Sequence, residues 1–247
     1  MFNIFKSKKK ELNEDIDLSV LNTDIHSHFI PGIDDGSKSM EESIFLLKQM
    51  EEFGYKKIIT TPHVYYNSFL DGISILDTKI EDLRRNAQFN GIKLQIEVGG
   101  EYLLDDDISE RIKNNQIKTF SDNYMLFEFP MSTEPMGYEK WLFDLQSAGF
   151  NLILAHPERF LYFYEDKQKY VSLKDRGIFF QMNMASLSGY YGAKVREAAE
   201  YLIKENMIDL VGSDCHGQRH IDAMKKTLRS PILKQLIESG KLINNKL

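Results

Sequence analysis

The sequence predicts a single-domain α/β protein in which seven parallel strands form a barrel-like ring. Three observations predict it. Apolar strand-like runs alternate with helix-like segments along the chain, which implies parallel strands joined by right-handed crossovers. Several runs are apolar at nearly every position, as in Asn151-Leu152-Ile153-Leu154-Ala155, and so suit strands covered on both faces. The chain has 247 residues, 42% of them hydrophobic, enough for one sizeable core.

The first strand is expected over 20–28 and closes with His26-Ser27-His28. Strand side chains alternate faces, so the two imidazoles point the same way. Ser39-Met40-Glu41-Glu42 has the form of a capping box opening a helix that Gly54 closes. Strand two is expected over 57–62, followed by His63, and a helix over 73–90. Strand three, 92–99, runs into Gly99-Gly100-Glu101. Strand four, 124–129, carries Glu128 between two phenylalanines, and a helix is expected over 134–148. Strand five, 150–155, ends in His156-Pro157-Glu158-Arg159. Strand six covers 177–183, with a helix over 193–206, and strand seven, 207–212, ends in Ser213-Asp214-Cys215-His216. Ser230-Pro231 supplies an N-cap and a first-turn proline for a last helix over 232–239.

Residues 1–19 read as a flexible basic extension and 20–247 as the domain. Lys6, Lys8, Lys9 and Lys10 are not followed by an apolar stretch, so the extension is not a signal peptide. With Phe2, Ile4 and Phe5 beside them, they allow weak contact with an anionic membrane surface. The formal net charge of −6 argues against a nucleic-acid binder. No apolar run approaches the ~20 residues of a membrane span. Cys215 is the single cysteine, so no intrachain disulfide forms, and a reducing, cytoplasmic setting is expected.

In α/β barrels, chemistry gathers at the C-terminal ends of the strands. Here those ends carry His26, His28, His63, Glu101, Glu128, His156, Asp214 and His216. Asp34 or Asp35, in the turn after strand one, could add another donor. Clustered acids repel unless a cation lies between them, and so many donors exceed the needs of one metal. Mixed imidazole and carboxylate donors suit Mn²⁺, Fe²⁺ or Zn²⁺. Such a centre favours hydrolysis of phosphate esters, because it lowers the pKa of bridging water and holds non-bridging oxygens. Arg159, on the loop leaving strand five, is placed to bind phosphate, with Arg219 as second choice. Cys215 does not fit a phosphate-binding Cys-x5-Arg loop, since Ile221 stands where the arginine would be, and it reads as a packed thiol.

Taken together, His26-Ser27-His28, Thr61-Pro62-His63, Gly99-Gly100-Glu101, Glu128-Phe129-Pro130, His156-Pro157-Glu158-Arg159 and Ser213-Asp214-Cys215-His216 resemble the PHP (polymerase and histidinol phosphatase) superfamily. Pro31-Gly32-Ile33-Asp34-Asp35-Gly36 and the His-Pro-Glu-Arg run bring the chain close to its bacterial CpsB/CapC/YwqE group of tyrosine-protein phosphatases. The resemblance covers about residues 20–240. It implies a distorted (β/α)7 barrel of PHP type with three divalent metal ions, manganese favoured. By the family pattern, His26, His28, Glu101 and Asp214 would hold one metal. Glu101, Glu128 and His156 would hold the second, and His63, His216 and Asp34 the third. Arg159, Asp34 and His63 would carry catalysis, with a metal-bridging hydroxide attacking phosphorus. The partner implied is the phosphotyrosine tail of a membrane-bound tyrosine kinase controlling capsule or exopolysaccharide synthesis. The group's second phosphate-binding arginine, seven residues after the strand-seven aspartate, has no counterpart, since Ile221 stands there and Arg219 is nearest.

Other classes meet the same residues less well. A small-molecule phosphatase such as histidinol phosphatase would share the chemistry. An amidohydrolase barrel also opens with His-x-His, but it wants a strand-four lysine where Glu128 stands, and eight strands rather than seven. A metal-holding scaffold need not keep every donor. Phe160, Tyr162, Phe163 and Tyr164 could offer aromatic surface to a phosphotyrosine, although core packing explains them at least as simply.

Overall fold

The computed structural model describes residues 15–65 and 72–247. Residues 1–14, and with them the membrane-contact reading, lie outside the described residues. Residues 15–19 do not behave as the flexible extension the sequence suggested. Ile16 N–H donates to Leu228 O, and Leu18, opening the 3-10 turn Leu18–Leu21, is buried.

Among the described residues, nine short strands form the ring: β1 Thr23–Asp24, β2 Lys57–Thr60, β3 His63–Val64, β4 Gln95–Val98, β5 Glu101–Leu103, β6 Tyr124–Glu128, β7 Asn151–Ala155, β8 Phe179–Asn183 and β9 Leu210–Gly212. They occupy the seven expected positions. β2 and β3 are two lengths of the second stave, interrupted at Pro62, which has no N–H for a ladder. β4 and β5 are two lengths of the third, interrupted at Gly99-Gly100. A Cβ on Gly99 would lie 2.5 Å from the Phe120 ring, so glycine makes room for that ring inside the barrel. Every pairing between the named strands is parallel, in sheets ordered β1-β2-β4 and β3-β5-β6-β7-β8-β9.

The seam between β9 and β1 has no ladder; other groups cross it. Ser27 and Cys215 make an isolated parallel bridge, with Asp214 N donating to His26 O and His28 N to Cys215 O. Buried Asn244 donates through Nδ2 to Thr23 O and Val211 O, and its Oδ1 accepts from Val211 N. Asp24 accepts from the N–H and hydroxyl of Ser213.

Helices lie between successive staves in the chain, α1 Met40–Glu52, α2 Gly72–Phe89, α3 Ile108–Lys113, α4 Tyr138–Ser147, α5 Leu161–Glu165, α6 Gln168–Asp175 and α7 Ala193–Lys204, and two more, α8 Gln218–Thr227 and α9 Pro231–Glu238, follow the last stave. Only half of the predicted capping box forms. Ser39 Oγ accepts from Glu42 N, but Glu42 turns to Lys38 N rather than Ser39 N. The main core packs staves against helices, while Ile25, Ile59, Phe120, Leu126, Ile153, Ala155 and Leu210 form a smaller apolar cluster that floors the site. Among the described residues, no helix is long and apolar enough to cross a membrane.

Candidate metal centre

The ladders aim the donors. On β6, Leu126 belongs to the floor cluster and Glu128, two residues on, shares its face and reaches the mouth. β8 aims Gln181 and Asn183 the same way. β7 and β9 end differently: His156 (φ 35°) and Asp214 (φ 48°) sit in left-handed backbone that non-glycine residues avoid. Such positions cost roughly 1–3 kcal/mol each and cluster at functional sites. Here the turn re-aims each side chain into the mouth.

His26, His28, Glu101, Glu128, His156 and Asp214 are all buried, and their polar atoms converge. Glu101 Oε2 lies 3.2 Å from His26 Nε2, 3.4 Å from His28 Nε2 and 3.0 Å from His63 Nδ1, yet accepts no hydrogen bond. Glu101 Oε1 lies 3.0 Å from His156 Nε2, and Glu128 Oε2 lies 3.7 Å from it. Asp214 Oδ1 lies 3.3 Å from His26 Nε2 and 3.4 Å from His28 Nε2 and His216 Nδ1.

The far nitrogens fix the tautomers. His26 Nδ1 is 2.7 Å from Gln181 Oε1, a carbonyl that only accepts, so that nitrogen carries the proton. His28 Nδ1 donates in the same way to Asp34 Oδ2 at 2.7 Å, and His216 Nδ1 to Asp214 O at 2.9 Å. In neutral rings the Nε2 atoms are then bare lone pairs. Those of His26 and His28 face each other at 3.2 Å with carboxylate oxygens around them. Lone pairs opposed at that distance call for a cation, and anchoring the far nitrogen is how metal-ligating histidines are held. The residues therefore fit a divalent metal centre. His28 with Asp35, His63 and His216; His26 with His28 and Asp214; His26 with Glu101 and His156; and His63 with Glu101 and Glu128 each bring donor atoms close enough for one ion.

Electrostatics agree. Burial alone would depress the His63 imidazole, but the facing Glu101 and Glu128 carboxylates outweigh it and hold its pKa at about 10. Burial raises the Asp214 and Glu101 carboxyls, and the surrounding imidazoles reverse this and hold both well below the usual range. The mouth is a strongly cation-seeking field.

Asp34 departs from the expected third ligand set. It caps its own turn, accepting from Gly36 N, and supports His28 Nδ1 and His63 N. The carboxylate beside the third pair is Asp35, whose Oδ1 lies 3.2 Å from His216 Nε2 and 3.5 Å from His63 Nε2. A Cβ on Gly36 would lie 2.3 Å from His28 O, so this turn tolerates only glycine there.

Above the donors opens a pocket of about 510 Å³ lined by residues that include Tyr65, Phe129, Arg159, Tyr190, Tyr191 and His220. Arg159 Nη1 lies 3.2 Å from Asp214 Oδ2, and the guanidinium sits over the Tyr191 ring. Glu158, buried just before it, anchors that loop by accepting from Asn183 N and Ser186 Oγ. Arg219 is exposed on α8 and does not line the pocket; its neighbour His220 does. The aromatic lining is not the segment after Arg159 either. Phe160 and Phe163 are core residues, and Tyr162 donates to Pro130 O. Cys215 is buried with its thiol pKa pushed up by burial, unsuited to nucleophilic attack.

The chain matches the family described as "Capsular polysaccharide synthesis, CpsB/CapC" over residues 22–239. CapC of Staphylococcus aureus is 32% identical over 220 residues, covering 89% of this chain and 83% of CapC. YwqE of Bacillus subtilis, named a tyrosine-protein phosphatase, is 26% identical over 229 residues, covering 89% of this chain and 90% of YwqE. A crystal structure reported for YwqE and for CpsB of Streptococcus pneumoniae, described as unique metal-dependent tyrosine phosphatases, superposes with a TM-score of 0.78 at 26% identity, covering 90% of this chain and 94% of that one.

Proposed function

Because the chain belongs to the CpsB/CapC family of capsular polysaccharide synthesis, we propose that it is a metal-dependent phosphatase that removes phosphate from phosphotyrosine. One observation carries the reading: Glu101 Oε2, buried and without a hydrogen bond, is ringed by imidazole nitrogens of His26, His28 and His63. We assign His26, His28, Glu101 and Asp214 to a first divalent ion, Glu101, Glu128 and His156 to a second, and His63, His216 and Asp35 to a third. Asp34 acts through His28. Bound divalent ions, manganese by family likeness, supply the low pKa of attacking water and the charge that phosphoryl oxygens need.

The chain's own groups do the rest. Arg159 keeps one N–H on Asp214 and has further donors for the phosphoryl oxygens. Tyr65, Tyr190 and Tyr191 offer ring surface to an aryl ester in the pocket above. The substrate we assign is the phosphotyrosine tail of a tyrosine kinase of capsule or exopolysaccharide synthesis, met on the cytoplasmic side.

Steady-state kinetics on a phosphotyrosine peptide and on histidinol phosphate test the choice of ester. The expected result is the higher kcat/KM on the peptide. A large preference for histidinol phosphate would transfer the site to small-molecule substrates.

A further inference from the structure

Tyr191 lies where the metal donors meet the phosphate pocket, in the turn Gly189-Tyr190-Tyr191-Gly192 that leads into α7. The Arg159 guanidinium carbon is 4.6 Å from the centre of its ring. Its hydroxyl, 3.3 Å from Asp214 Oδ2, donates to that oxygen. The phenol stays protonated, because burial pushes its pKa up and the Asp214 charge adds to that.

Asp214 divides its two oxygens between different neighbours. Oδ1 faces His26, His28 and His216. Oδ2 receives Asn183 Nδ2 at 2.6 Å, Arg159 Nη1 at 3.2 Å and the Tyr191 hydroxyl. Among the described residues lining the pocket, Arg159 is the sole lysine or arginine. It is a flexible cation beside a site built for cations, and the electron-rich ring face and the Asp214 carboxylate are what hold it there. A guanidinium already flattened on a ring loses less freedom when it grips a phosphate.

We infer that Tyr191 is a positioning residue with two separable roles: its ring aims Arg159 at the phosphoryl group, and its hydroxyl turns Asp214 so that Oδ1 faces the histidines. This deepens the phosphate-ester reading and rests on it.

The test measures inorganic phosphate binding by calorimetry on metal-loaded protein, and metal retention against a chelator. The proteins are wild type, Tyr191→Phe, Tyr191→Leu, Arg159→Ala and the Arg159→Ala/Tyr191→Leu double variant. Tyr191→Leu should weaken phosphate binding by about 3- to 30-fold, the worth of a cation–π contact. Tyr191→Phe keeps the ring, so phosphate affinity should hold while metal retention falls by about 3- to 10-fold. The double variant should bind phosphate no more weakly than Arg159→Ala alone. Equal phosphate loss in Phe and Leu variants, or further loss in the double variant, would overturn the ring's role. Unchanged metal retention in Tyr191→Phe would overturn the hydroxyl's role, and it decides even if the Leu variant misfolds. Wild type that binds phosphate but leaves a phosphotyrosine peptide intact would remove the ester reading while leaving these comparisons valid.

Discussion

At Glu101 three imidazole nitrogens crowd one carboxylate oxygen that accepts no hydrogen bond, and the chemistry of the whole mouth follows from that arrangement. Glu101→Gln removes the negative charge and one of the two donor oxygens of this residue and should strip bound metal. We expect kcat/KM on a phosphotyrosine peptide to fall by about 10²–10⁴, the several kcal/mol a metal supplies to the transition state. Elemental analysis of the same variant should show lost metal; full metal content with full turnover would contradict the assignment. Gly36→Ala is the indirect counterpart. Its Cβ would meet His28 O at 2.3 Å and Asp34 Oδ1 at 2.9 Å, so His28 must shift and metal content should fall without any ligand being changed. Much of this was legible residue by residue, because acids and histidines at the ends of apolar strands have few structural uses. What was not legible depends on backbone direction. Asp34 and Asp35 are neighbours in one turn, and only the turn decides that Asp34 backs His28 while Asp35 faces His63 and His216. Arg219 and His220 open the same helix, where about 100° separates successive side chains, so one faces solvent and the other the pocket. Gln181 and Asn183, two apart on a buried strand, are amides rather than metal donors, and only the fold sets them against His26 and Asp214.

Among the elements, the seam between β9 and β1 is the least regular part of the ring. Where neighbouring staves exchange ladder bonds, this seam relies on the Asn244 side chain, Asp24 with Ser213, and the Ser27–Cys215 bridge. Asn244→Ala leaves Val211 N, Val211 O and Thr23 O without their partner inside the protein, which should cost about 2–4 kcal/mol. Urea denaturation checks this; a loss below about 0.5 kcal/mol would mean that the ladders alone close the ring. The long apolar runs predicted their strands because a stave covered on both faces has little freedom in composition. The first strand is shorter than the 20–28 its sequence predicts, because Asp17 caps a 3-10 turn at Leu18–Leu21 and Asn22 at φ 62° breaks the extended run. α5 and α6 span 5 and 8 residues, too short for a helical period to stand out between β7 and β8.

For the whole molecule, the mouth is a set of opposed charges that either protons or metal ions can satisfy. In protein freed of metal, burial lowers the His63 pKa, yet Glu101 and Glu128 raise it to about 10, above its value of about 6.5 in the unfolded chain. A raised folded-state pKa contributes stability that is complete below the unfolded value and is lost as pH climbs through the folded one. The Tm of metal-free protein should therefore fall between about pH 6.5 and pH 10. With metal bound, the donors are already unprotonated and the curve should be flatter there. A metal-free Tm that rises over this window would reverse the electrostatic picture. Dependence of catalysis on the metal centre is read directly from turnover of a phosphotyrosine peptide by the full chain, stripped with a chelator and then titrated with Mn²⁺, Fe²⁺ or Zn²⁺, with bound metal counted at each step. The stripped protein should show no turnover, and activity should return in proportion to bound metal. Undiminished turnover in metal-free protein would contradict that dependence.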